Sequence, residues 1–466
     1  MKKFGFWFDY DQTLTFTHIA NKLLEFDEFQ FTGFIINDRY YDYAENNLKH
    51  YSKLYKFYPL LEKAFYITPT KEEREYFEYL DNKYFLSKCM YSDRHLNKLN
   101  YKKVLNSFIV MSNIFKKFID EEKIDIFMFN CVASSYSHLF YYVLQDNNVN
   151  IIIPTHTGLD NTVFLSSNPY NIFDKAIEDY KNLKLKDFNG NIINRANKIM
   201  QRIRKYKPAY KDIGAINQKQ KFQFPSLNRV KVYLQNRKFY KNDYTQFEIH
   251  ERVKNILYLK YNIKYIQKYF ENCKVIKDAN YIYFPLHFEP EIATLVLHQY
   301  NHLSIIDIIS KHMPLNWKLV VKEHPAMIGQ REAKFYEEIK KYPNVVLLHS
   351  SCNSQQIIDN AKIVFSLSGT VIFESIVLKK PVIFTGPTRY EGFNLGINSK
   401  NIFEFEYLIR QALNYEYNEE SILKMVVSIL ANSYDFIFAE PLGRMEVLED
   451  KNIEKIAKAI IEYINE

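Results

Sequence analysis

The chain alternates between short apolar runs and longer stretches in which apolar residues recur at helical spacing. In the first 170 residues, four apolar runs have the length and flanks of buried strands. The predicted strands are KFGFWF, FQFTGFIIN, IDIFMFN and VNIIIP. The predicted helices are Thr17 to Phe26, a long stretch from Arg39 to Asn113, VMSNIFKKFIDEEK and SSYSHLFYYVLQDNN. Strands that alternate with helices predict crossover connections and a parallel sheet.

The same alternation returns at Tyr281, after a polar and mostly helical middle region from residue 171 to 280. The later predicted strands are YIYFPLHF, WKLVVKEHP, NVVLLH, KIVFSLSGT and KPVIFTG. The later predicted helices are Ala293 to Met313, Glu332 to Lys341, Ser354 to Asn360 and VIFESIVLK. This second unit therefore has the pattern of another doubly wound domain.

Together the two units predict an α/β protein with two Rossmann-like doubly wound domains that face each other across a cleft. We expect residues 1–275 to form the N-terminal domain, with helical insertions, and residues 276–466 to form the C-terminal domain. A helical connector joins the domains, and the last helix is expected to pack back on the N-terminal domain. Because open parallel sheets bind ligands beyond the carboxyl ends of their strands, the polar strand ends are the expected site.

Composition narrows the class of protein. The 466 residues are 47% hydrophobic, which is enough for two or three domains. The four cysteines are far apart and form no CxxC pair, which predicts neither structural zinc nor disulfides and favours a reducing cytoplasm. We expect no signal peptide and no transmembrane helix, because the chain has no apolar run of 18 residues.

The net charge of +8, from 62 basic and 54 acidic residues, is mild for this length. It suits an anionic ligand or a peripheral contact with a membrane, and it lacks the basic stripe expected of a nucleic-acid binder. The densest mixture of basic and aromatic residues is NRVKVYLQNRKFYKNDY. This segment is predicted to be a solvated helix face, with contact to a membrane surface or an acidic acceptor as the alternative.

Polar residues concentrate at two strand ends of the second unit. One strand ends in VVKEHP, and about forty residues later FSLSGTVIFES closes a strand and opens a helix. The candidate binding residues at these ends are Lys322, His324, Pro325, Ser366, Ser368, Gly369, Thr370 and Glu374.

These residue types suit a nucleotide. In the turn of Ser368, Gly369 and Thr370, small residues let backbone N–H groups approach a phosphate, and the following helix adds its dipole. Lys322 and His324 can neutralise a diphosphate or a leaving phosphate. Each piece alone also has a structural explanation, since Ser-Gly-Thr is an ordinary helix cap. The ordered set is what predicts a nucleotide site.

The stretch from YIYFPLHFEPE through VVKEHP to SLSGTVIFESIVLKKPVIFTG resembles the nucleotide-sugar half of GT-B glycosyltransferases. It is most similar to bacterial capsule and surface polysaccharide biosynthesis proteins, the group of the Kdo and sialyl transferases. Those proteins carry a His-Pro motif, a Ser/Thr-Gly segment, and a helix and strand with a Glu-Ala-x-x-x-Gly-Lys-Pro-Val-like sequence. Here the last element reads ESIVLKKPV, with Lys379 in place of the usual glycine. The resemblance covers Tyr281 to Phe393 well and the N-terminal half only in outline.

The resemblance implies an inverting glycosyltransferase that moves a sugar from a nucleotide-sugar to a growing capsule or lipopolysaccharide. A CMP-sugar is the preferred donor, and UDP- and GDP-sugars remain open. Lys322 and His324 would face the donor phosphates, the turn at 368–370 would cradle them, and Glu374 would hold the ribose. No metal or other cofactor is required on this reading. The expected partners are the donor, a glycan or lipid-linked acceptor, and the inner membrane or a polysaccharide assembly complex, with no nucleic acid.

Inverting transfer needs a base that deprotonates the acceptor hydroxyl, and in GT-B enzymes it usually comes from the N-terminal domain. Asp11 and Asp160 rank equally as that base, and His156 is a further catalytic candidate beside His324. Asp160 and His156 are explained equally well as a turn-forming aspartate and a loop histidine. Other candidates for the cleft are Asp9, His18, His287, Glu289 and Glu291.

Four alternatives remain. FDYDQTL resembles the first motif of haloacid dehalogenase-like phosphatases, in which the first aspartate is the nucleophile and a magnesium ion is bound. That reading is the least favoured, because no later apolar strand ends in the acidic pair that completes the metal site. The others are a hydrolysing UDP-N-acetylglucosamine 2-epimerase-like enzyme, a glycerophosphotransferase with a CDP-linked donor, and a GT-B scaffold without catalytic activity.

Overall fold

The structure is a computed structural model that describes residues 1–93, 95–96, 99–170, 173–206, 249–289, 296 and 298–466, with the side chains of 249–252 left out. Glu291 and the basic-aromatic segment NRVKVYLQNRKFYKNDY lie outside the described residues. Residues 293–295, at the beginning of the helix expected from Ala293, lie outside them as well. The described residues 298–301 are not helical, so this prediction is wrong there, and the helix begins at His302 after an Asn301 cap.

Seven strands form the N-terminal sheet in the order β13-β6-β5-β4-β1-β2-β3. Strands β1 to β5 run parallel, and β6 and β13 are antiparallel at one edge. The bounds are β1 Lys2–Phe8, β2 Phe29–Ile35, β3 Tyr51–Lys56, β4 Ile126–Met128, β5 Asn150–His156, β6 Thr162–Ser166 and β13 Tyr434–Asp435.

The sequence of β1 explains its central position. Phe4, Phe6 and Phe8 point to one face and join the core beneath the first and last helices, whereas Trp7 joins the core on the opposite face. Successive side chains of a strand alternate between the faces of a sheet, so an unbroken apolar run requires cover on both sides. All four of these side chains are buried.

Six parallel strands form the C-terminal sheet in the order β12-β11-β10-β7-β8-β9. Their bounds are β7 Tyr281–Pro285, β8 Lys318–Lys322, β9 Val345–Leu348, β10 Ile363–Ser366, β11 Val382–Phe384 and β12 Ile397–Asn398. In both sheets the strand that comes first in the chain lies in the interior of the sheet. The second and third strands of that unit lie on one side of it, and the fourth to sixth lie on the other. This is the strand order of doubly wound nucleotide-binding domains, so the predicted fold class is confirmed.

Helices cover the sheets. In the N-terminal part they are α1 Gln12–Leu23, α2 Tyr41–Asn47, α3 Phe57–Ala64, α4 Lys71–Tyr84, α5 Ser87–Tyr91, α6 Tyr101–Glu122, α7 Ser135–Asp146, α8 Asp174–Asn182 and α9 Gly190–Arg204. The later helices are α10 Ile249–Ile266, α11 His302–His312, α12 Ala333–Lys340, α13 Ser354–Asn360, α14 Thr370–Val377, α15 Phe405–Leu413, α16 Glu419–Ala431 and α17 Asp450–Asn465. No described helix is both long and apolar enough to cross a bilayer.

The long helical stretch predicted from Arg39 to Asn113 is wrong at one place, because it contains β3. This strand lies at the sheet edge, and Leu54 is the only one of its six residues that is buried. A strand with so few buried apolar residues shows little alternation of apolar and polar positions. Its sequence therefore could not be distinguished from that of the polar helices around it. The first helix also begins at Gln12 rather than Thr17.

Helices connect the half of the molecule that contains the N-terminal sheet with the half that contains the C-terminal sheet. α8 and α9 pack on α16, α10 packs on α12, and α17 returns to α1 beneath the N-terminal sheet. The core under α8 and α9 is continuous with residues of the C-terminal sheet such as Tyr281 and Val364. Residues 173–204 therefore lie against the C-terminal sheet, although they precede the boundary expected at residue 275.

Candidate functional site

The first strand and the fourth strand of a doubly wound sheet diverge at their carboxyl ends and leave a crevice there. In the C-terminal sheet these strands are β7 and β10, which are adjacent. His287 follows β7, Ser368 follows β10, and Lys322 ends the neighbouring strand β8. The topology thus brings three of the predicted strand ends to one edge.

The Ser-Gly-Thr turn after β10 opens α14. Gly369 has φ +93° and ψ −179°, a conformation that L side chains rarely adopt. Ser366 is fully buried, and its Oγ donates to the carbonyl oxygen of Ser368 at 2.7 Å. Gly369 and Thr370 are exposed, and Ser368 is half-buried. Ser366 therefore holds the turn from inside, while residues 368–370 present it to the cleft.

His287 joins β7 to this turn. Its Nε2 lies 2.8 Å from the carbonyl oxygen of Ser368 and 3.2 Å from the backbone nitrogen of the same residue, so the ring contacts both backbone groups of Ser368. Burial lowers the pKa of His287 to about 3, and nearby His302 acts in the same direction. The ring is therefore neutral near pH 7 and is hydrogen-bonded to the turn.

Lys322 is a buried ammonium at the end of β8, with a residue exposure of 7%. Its Nζ donates to Ser354 Oγ at 2.6 Å. Burial lowers the pKa of Lys322, because the charged form is poorly solvated there. An anion at this edge would offset that cost, since an ammonium has three donors and Ser354 takes one of them.

His324 follows Lys322 and begins a short 3-10 helix over Pro325–Met327. Its Nδ1 accepts from the backbone N–H of Ala326 at 3.2 Å, which leaves the proton of the neutral ring on Nε2. Burial lowers the pKa of His324, and the charges of Lys322 and Arg331 lower it further. The exposed Pro325 serves as the first residue of that helix. A neutral His324 can thus donate from Nε2 to a phosphate.

Glu374 lies one turn into α14 and is 8% exposed. Its Oε1 accepts from Gln355 Nε2 at 3.2 Å. Burial raises the pKa of Glu374 to about 7, although Gln355 and Lys322 favour the charged form. Burial thus favours the protonated form of this side chain, which the sequence did not indicate.

Glu289 is drawn into a buried ion cluster that the sequence did not predict. It pairs with Arg331, and its Oε1 lies 2.9 Å from Nδ1 of His302. Burial would raise the pKa of Glu289, but His302 and Arg331 together hold it at about 2. Neither Arg331 nor His302 ends a strand, so strand-end reasoning could not identify them.

The N-terminal candidates divide by location. Asp9 and Asp11 follow β1 at the corresponding point of the other sheet, beside β4. Asp11 Oδ2 accepts from the backbone N–H of Leu442 at 3.3 Å. His18 instead lies on the exposed side of α1, with its Nε2 3.4 Å from the hydroxyl of Tyr43.

Asp160 is held by two arginines of α9. Its Oδ1 accepts from Arg202 Nη2 at 2.5 Å and its Oδ2 from Arg195 Nε at 3.3 Å. Arg195 also forms two bonds of 2.7 Å with Asp435. Both oxygens of Asp160 are thus used to fasten its loop, which favours a structural role.

The loop after β5 reaches the turn at 368–370 of the other sheet. Arg389, which follows β11, donates to the carbonyl oxygen of His156 at 2.7 Å. A Cβ added to Gly158 would lie 3.6 Å from Cγ2 of Thr370. Loss of hydration lowers the pKa of His156, and the positive charges of Arg389 and Arg444 act in the same direction. The loop therefore closes one side of the crevice.

Among the residues that the structure describes, no three His, Cys, Asp or Glu side chains are arranged to hold a metal ion. The polar groups at the crevice are instead an ammonium, neutral imidazoles and a helix N-terminus. These groups bind anions directly.

Comparison with solved structures gives distant likenesses. A β-Kdo 2,7 transferase, KpsC, from Thermosulfurimonas dismutans shares 14% identity, over 78% of this chain and 97% of that one, with a TM-score of 0.38. A glycosyltransferase from Rickettsia africae shares 11% identity, over 99% and 97% of the two chains, with a TM-score of 0.28. Anabaena HepE in complex with UDP and glucose shares 9% identity, over the whole of both chains, with a TM-score of 0.27. Because all three scores are below 0.5, these likenesses carry no argument.

The family comparison is more specific. No curated protein sequence matches the chain. Residues 294–414 match the family described as capsule polysaccharide biosynthesis protein. That segment contains Lys322, His324 and the turn at 368–370, which carry the resemblance. Over residues 294–414 the predicted resemblance to this family is therefore confirmed.

Proposed function

We propose that the chain is a glycosyltransferase that moves a sugar from a nucleotide-sugar to a bacterial surface glycan, in the synthesis of capsule or lipopolysaccharide. The observation that carries this proposal is the convergence of three groups at one crevice of a doubly wound sheet. They are the buried ammonium of Lys322, the His324-Pro325 turn and the glycine turn that opens α14. The family match covers all three.

Each group has a role in binding the donor. Lys322 supplies positive charge, and Nε2 of His324 supplies a neutral donor, to the phosphate that leaves with the nucleotide. The exposed backbone of Gly369 and Thr370 at the start of α14 supplies N–H groups and the positive end of the helix dipole. These groups stabilise the leaving phosphate without a metal ion. Glu374 would receive the ribose hydroxyls.

A CMP-linked sugar is the preferred donor, because the His-Pro and Ser-Gly-Thr elements resemble those of Kdo- and sialyl-type enzymes. UDP- and GDP-sugars are the alternatives. The acceptor is a glycan or a lipid-linked glycan at the cytoplasmic face of the inner membrane, where the protein would make peripheral contact with the membrane or an assembly complex.

The transfer is proposed to invert the anomeric centre. A carboxylate of the N-terminal sheet takes the proton from the acceptor hydroxyl, the oxygen attacks the anomeric carbon, and the bond to the donor phosphate breaks. Asp11 is the preferred base, since both oxygens of Asp160 are already bound by arginines. Asp9 is near enough in the chain to share the task.

A transfer assay with CMP-, UDP- and GDP-linked sugars and surface-glycan acceptors tests the proposal. The expected result is release of one nucleotide that depends on the acceptor, with a glycan product of inverted anomeric configuration by NMR. Nucleotide release without acceptor, accompanied by an epimerised free sugar, would indicate the epimerase alternative. Turnover of CDP-glycerol would indicate the glycerophosphotransferase, and nucleotide binding without any transfer would indicate a scaffold.

A further inference from the structure

A buried arginine links the two strand ends that carry the candidate donor-binding histidines. Arg331 lies between the short helix after Pro325 and α12, and its side chain is 6% exposed. Its Nε donates to Glu323 Oε2 at 3.1 Å, its Nη1 donates to Glu289, and its Nη2 donates to the carbonyl oxygen of His287. One guanidinium therefore contacts the segments after both β7 and β8.

The first arm of this network determines the backbone position of His324. The carboxylate of Glu323 is fully buried. Its Oε1 accepts from the backbone N–H of His324 at 2.7 Å, and its Oε2 accepts from the hydroxyl of Tyr336 at 2.7 Å. Because Arg331 holds this carboxylate, it also determines where the imidazole of His324 points.

The second arm determines the position of His287. Nε2 of His302 accepts from the backbone N–H of His287 at 3.1 Å, while Arg331 donates to the carbonyl oxygen of the same residue. Both backbone groups of His287 are thus fixed. Its ring then reaches the carbonyl oxygen of Ser368 at 2.8 Å, in the donor turn. His302 is 1% exposed and is tied to the network through Glu289.

We propose that Arg331 and His302 are positioning residues for donor binding, acting through His324 and His287 on the two sides of the nucleotide crevice. The inference rests on the proposed function. Burying an arginine with two carboxylates has a large desolvation cost, so such clusters are weak sources of stability. A fixed geometry at the crevice is what this cluster provides.

The test uses one variant at Arg331 and a pair of variants at His302, all in the full chain. Arg331→Lys keeps the charge but loses the planar fork that contacts three partners. His302→Gln keeps an acceptor for the backbone N–H of His287, whereas His302→Leu removes it. The readouts are the KM for the donor, kcat, the Kd of the free nucleotide and Tm.

We expect Arg331→Lys and His302→Leu to raise the donor KM and the nucleotide Kd roughly tenfold or more, with a smaller change in kcat. His302→Gln should bind the nucleotide nearly as well as the wild type. If Arg331→Lys does not fold, the pair at His302 still decides the question. Equal affinities in His302→Leu and the wild type, with only Tm lowered, would overturn the inference.

Arg204→Lys is the matched control. Arg204 also binds a carbonyl oxygen and a carboxylate, with Nε 3.1 Å from the carbonyl oxygen of Val377 and Nη2 2.9 Å from Glu419. These contacts lie at the carboxyl end of α14, whereas the turn at 368–370 lies at its start. The donor KM of Arg204→Lys should therefore equal that of the wild type. If the wild type binds none of CMP, CDP, UDP and GDP, the proposed function fails; if it binds one and all variants bind equally, only the positioning inference fails.

Discussion

Burial determines the protonation state of the side chains at this site. His287 and His324 are kept neutral and Lys322 is made easier to deprotonate, because each lies where water cannot solvate its charged form. The site thus has donors that are neutral or poorly solvated and that would gain from an anionic ligand. For this reason a phosphate is the ligand that we propose for the crevice.

Removing the imidazole of His324 tests its role directly. His324→Ala is expected to abolish detectable transfer and to leave the fold intact, because Glu323 still holds the backbone N–H of His324 and only the bond from Ala326 to the ring is lost. Transfer rate and Tm are the measurements. His312→Ala, at the exposed end of α11, is the control and should behave as the wild type. Wild-type turnover by His324→Ala would remove this residue from the mechanism.

Glu374 should make stability depend on pH. Its pKa rises from 4.5 to about 7 on folding, so the folded chain holds the proton more tightly than the unfolded chain does. The contribution to stability is fully present below about pH 4.5 and is lost as pH rises through 7. That raised pKa corresponds to roughly 3 kcal/mol at most.

Glu374→Gln should therefore remove part of the fall in the free energy of unfolding between about pH 5 and pH 8. Denaturant unfolding of both proteins across this range measures the difference. Parallel curves for the variant and the wild type would show that the carboxyl titrates normally.

At the scale of elements, the donor turn depends on a glycine. The backbone of Gly369 has φ +93° with ψ near 180°, a region that residues with a Cβ occupy at a cost of about 1–3 kcal/mol. The conformation allows β10 to end, the turn to present its backbone, and α14 to begin within three residues. The element is therefore a helix start with an exposed backbone, and the proposed function assigns ligand binding to it.

Gly369→Ala is expected to weaken nucleotide binding and to lower stability by about 1–3 kcal/mol. Calorimetric titration with nucleotide and denaturant unfolding are the measurements. Gly190→Ala, at the start of α9, is the control, because nothing lies within 4 Å of the added Cβ and its φ is not positive. Equal affinity in Gly369→Ala and the wild type would show that the turn does not contact the ligand.

The same scale shows what the sequence could and could not predict. The turn at 368–370 and Lys322 were predictable, because hydroxyl, glycine and basic residues directly follow buried strands. Arg331 and His302 were not predictable, because they lie in a loop and at the start of a helix. The pattern of strands does not show that these residues approach the site. The edge strand β3 was missed because only Leu54 among its residues is buried.

At the scale of the whole molecule, two sheets with the same strand order meet where their carboxyl ends approach. Arg389 of the C-terminal half holds the His156 loop of the N-terminal half, and α17 returns from the C-terminal half to pack on α1. An acceptor on one sheet and a donor on the other would meet in this crevice. The base and the leaving-group residues should therefore come from different halves.

Asp11→Asn separates the role of the base from the binding of the nucleotide. It should lower kcat by about a hundredfold, because an amide cannot accept the proton of the acceptor, and leave the nucleotide Kd unchanged. Single-turnover transfer and nucleotide titration measure the two effects. Asp160→Asn is the comparison, and it should lower Tm instead, because it loses its ion pairs with Arg195 and Arg202. Unchanged transfer in Asp11→Asn would assign the base elsewhere.

The most direct test of the nucleotide-sugar assignment is a thermal-shift titration of the full chain with CMP, CDP, UDP and GDP. A ligand that binds only the folded state raises Tm as its concentration exceeds Kd. We predict that one of the four nucleotides raises Tm in a saturable way, and that the shift disappears in Lys322→Met. No shift with any of the four at millimolar concentration, or an equal shift in Lys322→Met, would contradict the assignment of this crevice as the donor site.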